Sequence, residues 1–266
     1  MKYKFLKGLV TSFALAISCT SNAALIYGSD PISAGTPLTV FDTNTGTTTV
    51  LGSSLWNLGL AFDNSNSLFG INGTSVYSVD INNGSTSLIG SGLWQGSSES
   101  ATFDLNNNLL SATSTGLYSI NTSNAATTYL GAFVGHSSYD GISVATTNVE
   151  TILGTFLAGS IFAVDSGQLY VIDPNTLVST FLMSAPASET IAFDANGNLY
   201  ANDYTNGYYL LDLVNQNHTF LGGSGHFGSA VYGAYSPQTD VPEPSTLAIF
   251  ALGLIGLAFR KFNQKG

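Results

Sequence analysis

VYSVDINNGSTSLIG, residues 76–90, decides the fold. An apolar stretch runs into Asp80, a polar turn follows, a Ser/Thr-rich stretch returns, and the segment closes on Leu88-Ile89-Gly90. Four other stretches repeat this order: LTVFDTNTGTTTVLG (38–52), LYSINTSNAATTYLG (117–131), LYVIDPNTLVSTFLM (169–183) and YYLLDLVNQNHTFLG (208–222). In every copy ten positions separate the turn residue (Asp42, Asp80, Asn121, Asp173 or Asp212) from the closing residue. The turn residues follow one another at 38, 41, 52 and 39 positions. Self-similarity at such a period marks a repeat architecture.

A second pattern lies between the copies: LAFDNSNSLFGIN (60–72), ATFDLNNNLLSAT (101–113) and IAFDANGNLYAND (191–203), with a weaker copy at GISVA (141–145). Each reads as a strand, a tight Asp/Asn turn and a returning strand. One unit therefore supplies four short strands in about 40 residues, the size of a propeller blade. Runs such as Tyr170-Val171-Ile172 are apolar at consecutive positions, as in a sheet covered on both faces. Helical periodicity is absent from the body. After the fifth unit SAVYGAYS (229–236) is a first strand without partners, while LIYGSD (25–30) matches a second strand. Pairing the two completes one blade from both chain ends and removes exposed sheet edges. The expectation is an all-β chain, a β-propeller of five four-stranded blades closed by N- and C-terminal strands, plus a C-terminal hydrophobic helix. The 52-residue spacing, with extra residues around Thr146–Gly159, leaves room for irregular strands. A β-sandwich and an open solenoid are the other arrangements such strands allow.

The ends differ from this body. Lys2, Lys4 and Lys7 precede an apolar stretch from Leu9 to Ile17, and Ser21-Asn22-Ala23 follows. Besides an N-terminal membrane anchor and lipoprotein processing at Cys19, this layout allows a secretory signal, residues 1–23, cut between Ala23 and Ala24, which is the expectation. Cleavage there discards Cys19, the single cysteine, and leaves no disulfide chemistry. The propeller-like region covers 24–238. Residues 239–266 hold Val241-Pro242-Glu243-Pro244-Ser245, an apolar run from Leu247 to Phe259, then Arg260-Lys261. Thirteen helical residues reach only about 20 Å, short of a hydrocarbon core of about 30 Å. In order, spacing and position this tail resembles the PEP-CTERM sorting signal of Gram-negative bacteria. The resemblance implies transient insertion in the inner membrane, with Arg260 and Lys261 on the cytoplasmic side. It further implies recognition of Pro242-Glu243-Pro244 by a membrane protease, exosortase, and delivery to the cell surface or exterior. Bacteria with such proteins typically make exopolysaccharide and extracellular matrix.

Charge narrows the function. All six Lys and Arg lie in the two end segments, while all 16 Asp and Glu lie between Ala24 and Ser245. A body without Lys or Arg cannot release counterions from a phosphate backbone, which excludes nucleic acid as a partner. Anionic membrane surfaces are disfavoured for the same reason. The chain has no His-Glu-x-x-His, no Gly-x-Ser-x-Gly and no phosphate loop. Most Asp residues fall at turns, where their ordinary work is to accept backbone N–H groups. Glu99, Glu150 and Glu189 lie outside those turns.

Two groups of residues remain candidates. Trp56 and Trp94 lie four positions after closing glycines, as does His226, which is followed by Phe227; His136 lies five after Gly131. These equivalent loops are expected around one mouth, where aromatic rings stack on sugar faces. The other group is Asp194, Asn196 and Asn198, whose alternation is that of a calcium loop without its Gly and closing Glu. Calcium is the one cofactor the sequence leaves open. The function expected is an exported, non-catalytic binding module associated with matrix exopolysaccharide. The alternative is a secreted glycan-active enzyme, which needs two carboxylates roughly 5 to 9 Å apart.

Overall fold

The computed structural model describes residues 24–29, 37–53, 59–92, 100–186, 188–203, 205–223 and 227–231. The segments expected to be a signal and a sorting tail with a hydrophobic helix, and Trp56, Trp94, Glu99 and His226, therefore lie outside the described residues. The side chains of Glu189 and Phe227 do so as well.

The repeat pattern becomes five four-stranded antiparallel sheets. Strands β1 (Leu25–Ser29), β2 (Pro37–Asp42) and β3 (Thr47–Ser53) are three strands of blade one. Blade two is β4 (Gly59–Phe62), β5 (Leu68–Asn72), β6 (Ser75–Val79) and β7 (Thr86–Ser91). Blade three is β8 (Thr102–Phe103), β9 (Leu109–Thr113), β10 (Gly116–Ile120) and β11 (Thr127–Gly131). Blade four begins at β12 (Gly141–Val144), then leaves the sheet for a hairpin, β13 (Val149–Thr151) and β14 (Gly154–Phe156). It resumes with β15 (Ile161–Asp165), β16 (Gln168–Ile172) and β17 (Ser179–Ser184). The hairpin accounts for the long 52-residue spacing. Blade five is β18 (Ser188–Phe193), β19 (Leu199–Asp203), β20 (Gly207–Asp212) and β21 (Asn217–Gly222). The last strand, β22 (Phe227–Val231), crosses to blade one and pairs antiparallel with β1, joining Ile26 to Val231 and Tyr27 to Ala230. Closure by the two chain ends is thus as the sequence implies.

Inner strands β22, β4, β8, β12 and β18 neighbour one another in a ring around the axis. The hydrophobic core is divided accordingly. It comprises five clusters of buried residues among the described residues, one at each joint between adjacent blades. The closing joint is made by Ala24, Ile26 and Phe41 of blade one with Ala192, Tyr200 and Tyr208 of blade five. Phe41 and Tyr208 stack there at 4.4 Å between centroids. Offset ring pairs of this kind add about 0.5–1.5 kcal/mol beyond area burial.

The repeated Leu-Gly ending has a physical cause. In all five blades the pairing of third and fourth strands slips by one residue near its end. The residue passed over is Leu51, Ile89, Leu130, Leu182 or Leu221, the one before the closing position. Such a bulge bends and twists the strand. The closing glycine then faces the outer turn of the next blade at close range. A Cβ on Gly52 would stand 1.9 Å from the Asn83 carbonyl oxygen, and one on Gly131 would stand 2.9 Å from Leu177 Cδ1. In blade four, Met183 replaces the glycine, and the Gln216 side-chain amide of blade five donates to the Leu182 carbonyl at 2.7 Å.

Candidate functional site

The axis is the first place to look for chemistry, because all five inner strands converge there. Its lining is apolar or small: Leu60, Phe62, Phe103, Ile142, Ile191 and Ala230, with the hydroxyls Thr102, Ser143 and Thr146 among them. The free space is ≈ 30 Å³, room for about one water molecule. Two of the hydroxyls bind one blade to the next. Val144 N–H donates to Thr102 Oγ1 and Phe193 N–H to Ser143 Oγ, each at 3.0 Å and buried. No carboxylate lines this space among the described residues.

The turn carboxylates are engaged by their own loops. At the inner-strand turns Asp63 Oδ1 accepts the N–H groups of Ser65 and Ser67, and Asp104 Oδ1 accepts those of Asn106 and Asn108. The outer turns at Asp42, Asp80, Asp173 and Asp212 are built alike. Backbone N–H groups of Asn82 and Asn175 lower the pKa values of Asp80 and Asp173, and the Asn215 side-chain amide lowers that of Asp212. Strand direction puts both series of turns at equivalent strand ends. The outer series is nevertheless seated against the neighbouring blade: Gly84 lies beside Leu38 and Gly52, Ala125 beside Gly90.

The calcium candidates form one of these turns. Asp194 Oδ1 accepts the N–H groups of Asn196 and Asn198 at 2.9 Å each. Its Oδ2 accepts the Asn198 side-chain amide at 2.8 Å and the Tyr200 hydroxyl at 3.2 Å. Four protein donors therefore meet this carboxylate, and a cation would have to displace some of them. Among the described residues no three His, Cys, Asp or Glu side chains are grouped to hold a metal.

Of the loop residues expected around a mouth, the structure describes His136. Its ring stacks on Tyr139 at 4.7 Å and meets Tyr170 at 4.7 Å in a tilted contact. Nδ1 lies 2.7 Å from the Ser138 carbonyl and Nε2 lies 3.2 Å from Asp165 Oδ2. Phe133 packs edge-on against Tyr139. Burial pushes the Tyr139 phenol up to about 12, while its hydroxyl donates to Ser179. His136 is thus the centre of an aromatic cluster that pins the loop between blades three and four. One face of its ring is stacked against Tyr139, and Tyr170 meets it at an angle.

The feature that residue-type reasoning missed is the hairpin β13–β14; the only signal was the long spacing. It docks on blade five through Ile152 N–H to the Leu213 carbonyl at 2.9 Å. A cleft of ≈ 500 Å³ beside it is lined by Asn148, Glu150, Asn196, Asn198, Asp212 and Thr219 over Val149, Leu210 and Leu213. A second cleft, ≈ 450 Å³, runs along Phe156, Ser160 and the Asp173 turn. Amides and carboxylates over an aliphatic floor suit a ligand with many hydroxyls.

Comparison with known proteins bears on the tail directly. Residues 240–261 match the PEP-CTERM protein-sorting motif. The chain thus carries a signal for export and sorting to the cell surface, of the kind recognised by exosortase, a membrane processing enzyme. No curated protein matches the chain. Among solved structures, it is similar to a symmetrical protein studied for its de novo evolutionary emergence, at 18% identity and a TM-score of 0.50. That alignment covers 76% of this chain and 94% of the other, and what it shows is the fold. A protein of unknown function from Bacteroides caccae aligns at 13% identity and a TM-score of 0.39, over 75% of this chain and 72% of that one. A gluconolactonase from Xanthomonas campestris aligns at 12% and 0.46, over 76% and 78%.

Proposed function

We propose that this chain is an exported, non-catalytic propeller that holds extracellular polysaccharide at its loop face. The observation that supports this reading is the filled axis. The space where carboxylates from several blades would converge on a substrate is closed by aliphatic, aromatic and hydroxyl side chains. In addition, the described turn carboxylates are each committed to backbone donors. On this reading Trp56, Trp94, His226 and Phe227 are the ligand-facing residues, and the His136 cluster is the rigid support beside them. Processing by an exosortase-type enzyme at Pro242-Glu243-Pro244, with Arg260 and Lys261 holding the cytoplasmic side, precedes deployment.

The test is retention of the exported protein on exopolysaccharide from a producing bacterium. The Trp56→Ala/Trp94→Ala double variant is expected to be washed off at least about tenfold more readily, a loss of about 1.4 kcal/mol that requires only about 0.7 kcal/mol from each ring. Equal retention of variant and parent, or release of cleaved sugars by the parent, overturns the reading.

A further inference from the structure

We propose that removal of the signal creates a structural group: the α-ammonium of Ala24 seats in a hydroxyl-lined site between blades one and five and fastens the ring closed. This rests on the secretory-signal reading, not on the choice of ligand. Hydrolysis of the Ala23–Ala24 peptide bond consumes one water, leaves a carboxylate on Ala23 and frees an amine on Ala24, which takes up a proton. With no Lys or Arg between Ala24 and Ser245, that ammonium is the one strong cation of the body.

The site is already drawn in hydrogen bonds. Ala24 is 5% exposed, its N–H donates to Thr43 Oγ1 at 2.9 Å, and its carbonyl accepts Thr43 N–H at 3.1 Å. Tyr200 shares the buried cluster of this joint with Ala24. Tyr200 donates to Asp194 Oδ2 at 3.2 Å. Burial first, and then the Asp194 charge, raise the pKa of the Tyr200 phenol, so it stays a donor. Two bonds mark this joint, from Ala24 nitrogen to the Thr43 hydroxyl and from the Tyr200 hydroxyl to the Asp194 carboxylate. A charged donor at Ala24 strengthens the first of them.

The other blades show that the arrangement is particular to this joint. Six positions after the inner-turn aspartate stand Phe69 in blade two, Leu110 in blade three and Tyr200 in blade five. Among these positions, only the blade that meets the mature N-terminus carries a hydroxyl. Asp194 is likewise buried, at 6% exposure, whereas Asp63 and Asp104 are partly exposed. Of the other polar groups near the site, Asp42 accepts the N–H groups of Asn44 and Thr45, and Asn198 donates to Asp194.

The test uses the full chain produced in an exporting Gram-negative host. Intact mass first fixes the mature terminus. Because the body lacks Lys, amine reagents report this one group within it. The Ala24 amine is expected to acetylate at least about tenfold more slowly in the native protein than after denaturation, with Tyr200→Phe and Thr43→Val each recovering much of the denatured rate. Forced acetylation, which removes the charge, should lower Tm by about 3 °C or more, whereas reductive dimethylation, which keeps it, should leave Tm nearly unchanged. Equal native and denatured rates, or equal Tm for acetylated and dimethylated protein, overturn the proposal alone. A mature terminus away from Ala24 overturns the signal reading and the proposal together.

Discussion

The joint between closing glycine and neighbouring turn can be tested at two equivalent positions, Gly52 in blade one and Gly90 in blade two. Neither has a left-handed φ, so adding a methyl group introduces no backbone strain at the residue itself. What differs is the space. At Gly52 the new Cβ would sit 1.9 Å from the Asn83 carbonyl oxygen and 2.7 Å from its carbon. Carbon–oxygen contacts settle near 3.3 Å or more, so the blade-two turn must retreat by about 1.4 Å, taking backbone with it. At Gly90 the nearest atoms are Ala125 Cβ at 3.1 Å and the Asn124 oxygen at 3.2 Å, a matter of tenths of an ångström. Overpacking a rigid contact costs typically 1–3 kcal/mol and occasionally more. Replacing glycine also stabilises by about 0.4–1 kcal/mol through the unfolded chain. Gly52→Ala is therefore expected to lose about 3 kcal/mol and Gly90→Ala less than about 1 kcal/mol. For a domain of this size the first corresponds to a Tm fall of about 6–12 °C. Urea unfolding of the exported protein, with the slope checked for constancy, measures both. A neutral Gly52→Ala, or equal losses at the two sites, would refute the account of why each repeat ends in glycine.

The other predictions concern the axis, the turns and the His136 loop. Thr102→Val keeps the side-chain volume but strips the acceptor from the buried Val144 N–H; it should cost about 1–3 kcal/mol and speed hydrogen exchange at that amide. The folded pKa values of Asp80, Asp173 and Asp212 lie below their unfolded values, so their contribution is present above the unfolded pKa and fades as pH falls through the folded one. Acid titration of Tm should then steepen below about pH 4, and the triple Asp→Asn variant should show a shallower fall. Tyr139→Phe removes the hydroxyl that donates to Ser179, and a loss of about 1 kcal/mol is expected by urea unfolding with the His136 stacking retained.

Much of this protein was legible from its pattern. The Asp and Asn residues at fixed positions read as turn-formers because a short side-chain oxygen reaches N–H groups two residues on, and they act so at Asp42, Asp80, Asn121, Asp173 and Asp212. The unpaired strand at each chain end likewise foretold β22 against β1. The site was less readable. His136 has the composition and position of a ligand residue, yet whether its ring stands open depends on Tyr139 and Tyr170, the latter 34 positions away. Asp194 resembles a metal loop in one dimension and is an anchored carboxylate in three. The hairpin β13–β14 showed only as surplus length, since three-residue strands carry too little periodicity to register.

Sequence alone determined the class of fold, the number of blades, the closure by both chain ends and the sorting motif of the tail, because these depend on local turn chemistry, strand periodicity and residue order along the chain. Tertiary structure decided what no local rule contains. It set which glycine meets which turn across a joint, which hydroxyl receives the amide of another blade, and how little space remains on the axis. Those are contacts between residues dozens of positions apart, and only ring closure brings them within hydrogen-bonding or van der Waals reach.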